Sequence, residues 1–479
     1  MIRVLSIASE CAPLVKTGGL ADVAGALPAA LGAIGVEMVT LLPGYPQVLA
    51  ACEGTGTGVL EEDDLWGGPA RVLRCRAAGL DLLVLDAPHL FDRPGNIYLG
   101  PDGRDWPDNP MRFAALCRVA ARIGAEGAGG WMPHILHLHD WQAGLTPLYL
   151  GARSARASVG TVLTIHNIAF QGLAPAALRA DLGLPEAGFD VEGYEYFGQI
   201  SALKAGIVYA DRLTTVSPTY ARELTTPEFG MGLDGVLRSR AQKLRGILNG
   251  IDTGSWNPAT DPALVAPYKT PRGKGRNKAA LRAEFALPAA SGPLCVLISR
   301  LTEQKGIDLL LQAVPRLLAR GGQLALLGSG GAEIETVVRD AAAVMPGFAA
   351  RIGYDEALSH RMVAGADAIL VPSRFEPCGL TQMFGLRYGA LPLVALTGGL
   401  ADTVIDANPA ALRAGVATGV QVHPLTVGAL ADAFDRLCDL YASDHWPVLQ
   451  RNAMRQEVGW QASARDYAEL YAECLPDHG

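Results

Sequence analysis

Short apolar runs alternate with segments of helical periodicity along most of this chain. The first run, RVLSIAS, is followed by Leu20, Val23, Leu27, Leu31 and Ile34 at helical spacing and then by VEMVTLLP, which predicts a strand, a helix and a second strand. Pro28 falls inside that helix, removes one backbone hydrogen bond and predicts a kink. HILHLHD, GTVLTIHN and DRLTTVSP extend the series, each an apolar run ending in polar residues. After GILNGIDTGSWNP a second series begins with PLCVLISR, QLALLG, ADAILVPS and LPLVAL, separated by helical segments such as GIDLLLQAVPRLLAR and EALSHRMVAGA. The pattern predicts an α/β chain of two doubly wound, Rossmann-like parallel sheets, crossing near residues 245 to 260 and facing one another across a cleft. We divide it into residues 1–247, residues 248–455, and a segment 456–479 whose SARDYAELYAECL reads as a helix packing back on the first domain.

A length of 479 residues exceeds one ordinary core and fits two domains. The formal charge of −8, without a basic run or tail, argues against a nucleic-acid partner. No apolar run approaches the roughly 20 residues of a membrane span, and the acidic Glu10 follows the first strand too soon for a leader peptide. The eight cysteines, among them Cys52 and Cys75, show no metal-binding spacing and are expected to be free thiols in a reducing cytoplasm.

Ligands of doubly wound sheets bind beyond the carboxyl ends of the strands, and polar residues gather there. Lys16, Thr17, Gly18, Gly19 and Asp22 follow the first strand, His139 and Asp140 end another, and His166 and Asn167 end a third. In the second half Arg300 ends PLCVLISR, Lys305 follows, and RFEPCGL succeeds ADAILVPS. The Lys16–Gly19 stretch has two readings, an anion site at a helix N-terminus or a tight turn. A dinucleotide fingerprint is missing: the nearest imitation, Gly328, Gly330 and Gly331, meets Glu333 where its third glycine should stand. The run His134, His137, His139, Asp140 invites a metal reading, but it offers no obvious ligand set, so strand-end polar residues are the favoured account. Cys378 has no evident base and is expected to be a packed thiol beside the site.

Taken together, KTGGLADV, DRPGNIYL, HLHDWQAGL, TIHNIAFQG, SPTYARE, EFGMGLDGVL, LNGIDTGSWNP, SRLTEQKGIDLL, RIGYDEAL, PSRFEPCGLTQ and TGGLADTV resemble, in family order from about residue 3 to about residue 405, the bacterial and plant-type glycogen or starch synthases, which are retaining GT-B glycosyltransferases. The resemblance implies transfer of glucose from ADP-glucose to the non-reducing 4-OH of an α-1,4-glucan. It gives Arg300 and Lys305 the developing phosphate charge, Glu376 the glucose hydroxyls, and His166 and Asp140 the opposite wall. It places Lys16, Thr17, Gly18, Gly19, Asp22, Asn167 and Asn249 among the substrate-binding residues, Tyr354 near the adenine, and Cys378, Gly379, Leu380 and Thr381 along the sugar and phosphate.

Eight residues after Glu376, where many retaining relatives of this fold carry a second glutamate, stands Phe384; a front-face, internal-return substitution is the expected route to retention. Leu396 and Glu303 depart from the arginine and the aromatic residue common in relatives. The chain has no Asp-x-Asp pair, so no metal and no other cofactor is expected, and the partners are the sugar nucleotide and the glucan alone, with no membrane. Two alternatives stay open: another retaining transferase using UDP-glucose or a small acceptor, and a catalytically silent glucan-binding protein.

Overall fold

The structure, a computed structural model, describes residues 1–152 and 159–475. Residues 476–479 of the expected C-terminal segment lie outside the described residues. The chain forms two compact units: Met1–Asn249 with Trp460–Gly479, and Gly250–Gly459. The first division therefore falls after Asn249 rather than after residue 247, and the chain returns at Trp460 rather than at 456.

In the first unit the strands are β1 (Ile2–Ile7), β2 (Val36–Pro43), β3 (Thr57–Glu62), β4 (Ala70–Ala77), β5 (Leu80–Asp86), β6 (Ile135–His139), β7 (Gly160–Ile165), β8 (Leu173–Pro175), β9 (Glu195–Tyr196), β10 (Gln199–Ser201), β11 (Arg212–Thr215) and β12 (Leu244–Gly246). Nine of them make one sheet in the order β12-β11-β7-β6-β1-β2-β5-β4-β3. Within it β4 alone runs against its neighbours β3 and β5, an antiparallel edge that the sequence reading did not include. Cys52 and Cys75 are joined there by a disulfide, so the expectation that all eight cysteines are free thiols is corrected. The two lie far apart in sequence, and the folding back of β3 on β4 brings them together. A small sheet, β8-β10-β9, stands apart from the main one.

The predicted first helix spans Gly19–Gly32 and buries Leu20, Val23, Leu27 and Leu31. It continues through Pro28, because the apolar side chains on either side of the lost hydrogen bond are anchored in the core. Ile34 lies beyond the helix end and is exposed, against the expectation that it completes the apolar face. The helix Gln461–Glu473 belongs to this unit: Tyr467, Leu470 and Tyr471, with Trp460, share one core cluster with Val23, Leu27 and Leu31 and with Val4, Ile135 and Val162 of the sheet.

The second unit carries β13 (Leu294–Ile298), β14 (Gln323–Gly328), β15 (Phe348–Ile352), β16 (Ala368–Val371), β17 (Leu391–Ala395) and β18 (Val420–Val422). They form one parallel sheet ordered β15-β14-β13-β16-β17-β18, the 3-2-1-4-5-6 arrangement of a doubly wound fold. In both units the strand order reverses next to the first strand, between β1 and β6 and between β13 and β16. Connections diverge there to opposite sides and leave a crevice at the carboxyl ends. Those two crevices carry the polar sequence motifs.

Candidate active site

At the β1/β6 crevice the loop after β1 is organised by a residue the sequence reading did not assign. Glu10 is buried, and its carboxylate accepts the Thr17 N–H at 2.5 Å and the Thr17 hydroxyl at 2.6 Å. Burial raises its pKa above the usual carboxylate range, against the pull of these donors. Lys16 and Asp22 make a half-exposed ion pair of 2.8 Å on the outer side of the same loop. Gly18, the N-cap of the first helix, has φ −154°, extended backbone open to any residue, and no side chain caps the helix. A Cβ on Gly19 would meet nothing within 4 Å. A turn requirement therefore does not explain these two glycines: Gly19 leaves open space at the helix N-terminus, while Gly18 gives its N–H to the Glu10 carboxylate, whose Oε1 would lie 3.7 Å from a Cβ there.

Asp140 stands at the other side of that crevice, immediately after β6, with φ +55°, a strained conformation for a residue other than glycine. Its Oδ1 accepts the backbone N–H of His166 at 2.7 Å and of Asn167 at 3.4 Å, which ties the β6 end to the β7 end. Burial pushes its pKa up to about 7, and the nearby Glu10 carboxylate adds to the effect. His166 Nε2 lies 2.9 Å from His139 Nδ1, whose Nε2 lies 3.0 Å from Ser6 Oγ on β1. Burial lowers all three imidazoles of the group, His139 to about 3 and His137 and His166 well below the ordinary value, so each is neutral at neutral pH. A neutral ring offers one donor and one acceptor, which suits a hydrogen-bonded chain ending on a sugar hydroxyl.

The histidine run divides by depth. His134 precedes β6 and contacts Arg3, and His137 is held in the core between Thr164 Oγ1 at 2.6 Å and Tyr471 Oη at 2.8 Å, so neither belongs to the crevice. Among the described residues no cluster of three or more His, Cys, Asp or Glu side chains is placed to hold a metal ion. Asn249, the last residue of the first unit, is buried, and its Oδ1 has no hydrogen-bond partner among the described residues.

At the β13/β16 crevice Lys305 Nζ sits 2.5 Å from Glu376 Oε2, both side chains largely buried, and Ser373 Oγ donates to the same oxygen at 2.8 Å. Gln304 fixes the approach of the two loops: its side chain donates to Phe375 O at 3.1 Å and its carbonyl accepts the Arg374 N–H at 2.8 Å. Arg374 in turn forms a bidentate pair with Asp308 at 2.7 Å. Two glycines permit the close packing. A Cβ on Gly306, at φ +65°, would strike Pro372 O at 2.0 Å, and one on Gly398, at φ +45°, would strike Glu376 O at 1.9 Å. Cys378 is buried beside this carboxylate loop, Gly379 turns it at φ +72°, and Leu380 and Thr381 open the helix Thr381–Tyr388.

Arg300 is exposed at the end of β13, and its guanidinium makes no ion pair with Glu376, whose partner is Lys305. Tyr354 is 75% exposed and donates its hydroxyl to Glu356. Phe384 stacks on Trp256 at 3.7 Å and 10°, and the other face of Trp256 stacks on His360 at 3.7 Å. The place of a second glutamate is thus taken by half of an aromatic stack. Glu10, Ser373 and Gln304 are the organising residues the sequence left unassigned. The legible signal for Glu10 was a lone acid in the apolar run after β1.

Two doubly wound units with polar sets at their switch points define a glycosyltransferase of the GT-B class. Residues 3–239 match the family "Starch synthase catalytic domain" and residues 292–439 match "Glycosyl transferases group 1". The chain is 64% identical to a glycogen synthase of Paracoccus denitrificans over 98% of its own length and 99% of the relative's. It is 60% identical to a glycogen synthase of a Jannaschia species, with the same coverage of both chains. Among solved structures it is similar to the catalytic domain of starch synthase IV from Arabidopsis thaliana bound to ADP and acarbose, at TM-score 0.86, 33% identity and 99% coverage of both chains. A sucrose-phosphate synthase from Thermosynechococcus elongatus, at TM-score 0.60 and 18% identity over 99% of both chains, shares the fold. The chain belongs to the glycogen synthase family. No helix among the described residues is long and apolar enough to cross a membrane.

Proposed function

We propose that this glycosyltransferase moves glucose from ADP-glucose to the non-reducing 4-OH of an α-1,4-glucan with retention of configuration. The observation that carries the reading is the Lys305–Glu376 pair at the β13/β16 switch point, a fixed cation and a hydrogen-bond acceptor held by one rigid pair of loops. As ADP leaves, negative charge grows on its phosphate while the anomeric carbon becomes cationic, and a preorganised ammonium stabilises that change without reorganisation. Arg300 adds a second cation from the end of β13. Glu376 accepts hydrogen bonds from glucose hydroxyls, and Tyr354 offers an exposed ring to the adenine.

In the first unit, Lys16 and the uncapped N-terminus of Gly19–Gly32 suit an anionic group, and His166, Asn167 and Asp140 suit hydroxyls of the acceptor or donor sugar. With Phe384 committed to the stack on Trp256, no carboxylate occupies the second-glutamate position, which favours front-face substitution over a covalent glycosyl intermediate. Metal independence belongs to the same reading, supported by the lack of any Asp-x-Asp pair. The test is transfer to glycogen with ADP-glucose and UDP-glucose offered side by side. A higher kcat/KM with ADP-glucose is expected, and equal or better use of UDP-glucose overturns the donor assignment.

A further inference from the structure

Ser6 lies within β1 and is fully buried, as is His139 at the end of β6. Ser6 Oγ and His139 Nε2 are 3.0 Å apart, and His139 Nδ1 and His166 Nε2 are 2.9 Å apart, so both nitrogens of the middle ring are committed. His166 Nδ1, at the far end of this chain, makes no hydrogen bond among the described residues. Burial keeps both rings neutral at neutral pH, so each holds a single ring proton, and what it can bind depends on which nitrogen carries that proton.

The buried end of the chain decides. A serine hydroxyl carries a proton that needs an acceptor, and among the described residues His139 Nε2 is the sole hydrogen-bond partner of Ser6 Oγ. Thr40, the register partner of Ser6 on β2, has a buried hydroxyl without any partner among the described residues, so it takes nothing from Ser6. If His139 donated from Nε2, the Ser6 proton would be buried without an acceptor, which disfavours that arrangement by about tenfold or more. With Ser6 donating, His139 Nε2 is the acceptor. The His139 proton then lies on Nδ1 and is given to His166 Nε2, and the His166 proton lies on Nδ1.

We infer that Ser6, acting through His139, fixes His166 as a hydrogen-bond donor at Nδ1 toward an oxygen of the bound sugar. The inference rests on the sugar contact proposed for His166 above. Ser6 and His139 are positioning residues, and of the three only His166 touches substrate. The donor complements its neighbour Asp140, whose Oδ1 holds the His166 and Asn167 N–H groups and whose Oδ2 makes no hydrogen bond among the described residues. A hydroxyl that gives its proton to a carboxylate oxygen still needs a donor to its own oxygen; an Nδ1–H supplies one, whereas an unprotonated Nδ1 opposes it with a lone pair.

Heteronuclear NMR of protein isotope-labelled on its histidine ring nitrogens reads the tautomers directly, with the two rings identified by the loss of their signals in His139→Gln and His166→Gln. In the wild-type protein both rings are expected to carry the proton on Nδ1, the minor form of a free histidine side chain. Ser6→Ala removes the donor, so Nε2–H signals are expected on both rings, and kcat/KM for transfer from ADP-glucose to glycogen is expected to fall about tenfold, the effect of one weakened hydrogen bond. Ser6→Thr keeps the hydroxyl and is expected to restore both the spectrum and the rate. A merely structural Ser6 would change Tm and leave the tautomers as they are. His166 protonated on Nε2 in the wild-type protein overturns the inference, and so does a folded Ser6→Ala variant with unchanged spectra or unchanged kcat/KM. If the wild-type protein transfers nothing from ADP-glucose to glycogen, the functional reading fails, and the spectra of wild type and Ser6→Ala still decide whether Ser6 sets the tautomer.

Discussion

Lys305 and Glu376, 71 positions apart in sequence, meet at 2.5 Å at the switch point of the second unit, with Ser373 donating to the same carboxylate oxygen. The pair is nearly buried, so each partner's charge depends on the other. That dependence separates a structural role from a catalytic one.

Lys305→Ala is expected to lower kcat about a hundredfold, the usual effect of losing one preorganised donor to transition-state charge. It also leaves Glu376 without its cation, at a cost of about 1 to 3 kcal/mol in stability. Adding Glu376→Gln to that variant restores Tm without restoring turnover. Chemical denaturation and steady-state kinetics on the three proteins check both halves, and near wild-type kcat in a folded Lys305→Ala variant refutes the catalytic role.

Asp140 gives a pH-dependent prediction. Its folded pKa of about 7 lies above that of an unfolded aspartate near 3.9, so the folded state binds the extra proton between those values. Its unfavourable contribution is absent below about pH 4, grows as pH rises toward 7 and is constant above that. Asp140→Asn keeps an oxygen for the His166 and Asn167 N–H groups and removes the charge. The variant's Tm relative to wild type is therefore expected to rise between pH 4 and 7, by an amount equivalent to about 1 to 3 kcal/mol, while its activity falls. A Tm difference independent of pH refutes the assignment.

Glu10 acts through the loop it holds. Glu10→Gln retains one acceptor for the Thr17 donors and is expected to raise KM for ADP-glucose about tenfold with a smaller change in kcat, whereas Glu10→Ala loses the loop geometry and affects both. Unchanged donor KM in Glu10→Ala shows that the loop does not depend on this carboxylate.

Phe384→Glu recreates the missing second carboxylate but breaks the stack on Trp256. Stability is expected to fall by about 2 kcal/mol through lost ring packing and a half-buried charge. Activity should fall too, and the product should retain its configuration. A gain in turnover would show that the position calls for a carboxylate.

Turnover is expected to survive excess EDTA in metal-free buffer, because the function proposed above assigns the charge of the leaving phosphate to Lys305 and Arg300 of the second unit. Activity that vanishes with EDTA and returns with Mg²⁺ refutes this arrangement.

The sequence by itself determined the kind of most elements of the two parallel sheets and where the polar clusters fall along them. Alternating apolar runs and helical spacing report local backbone preference and burial, so β1, β2, β6, β7, β11, β13, β14, β16 and β17 were readable from their own residues, whereas β15 and β18 were not. Motifs at strand ends were readable for the same reason, since a polar residue ending an apolar run marks where the chain leaves the core. Tertiary structure decided which strands are neighbours. β1 adjoins β6 and β13 adjoins β16 across long stretches of chain, and those adjacencies create the crevices that bring Glu10 near Asp140 and Lys305 to Glu376. Pairing between distant strands depends on the packing of whole sheet faces, which no local pattern encodes. The same holds for the antiparallel edge that joins Cys52 to Cys75.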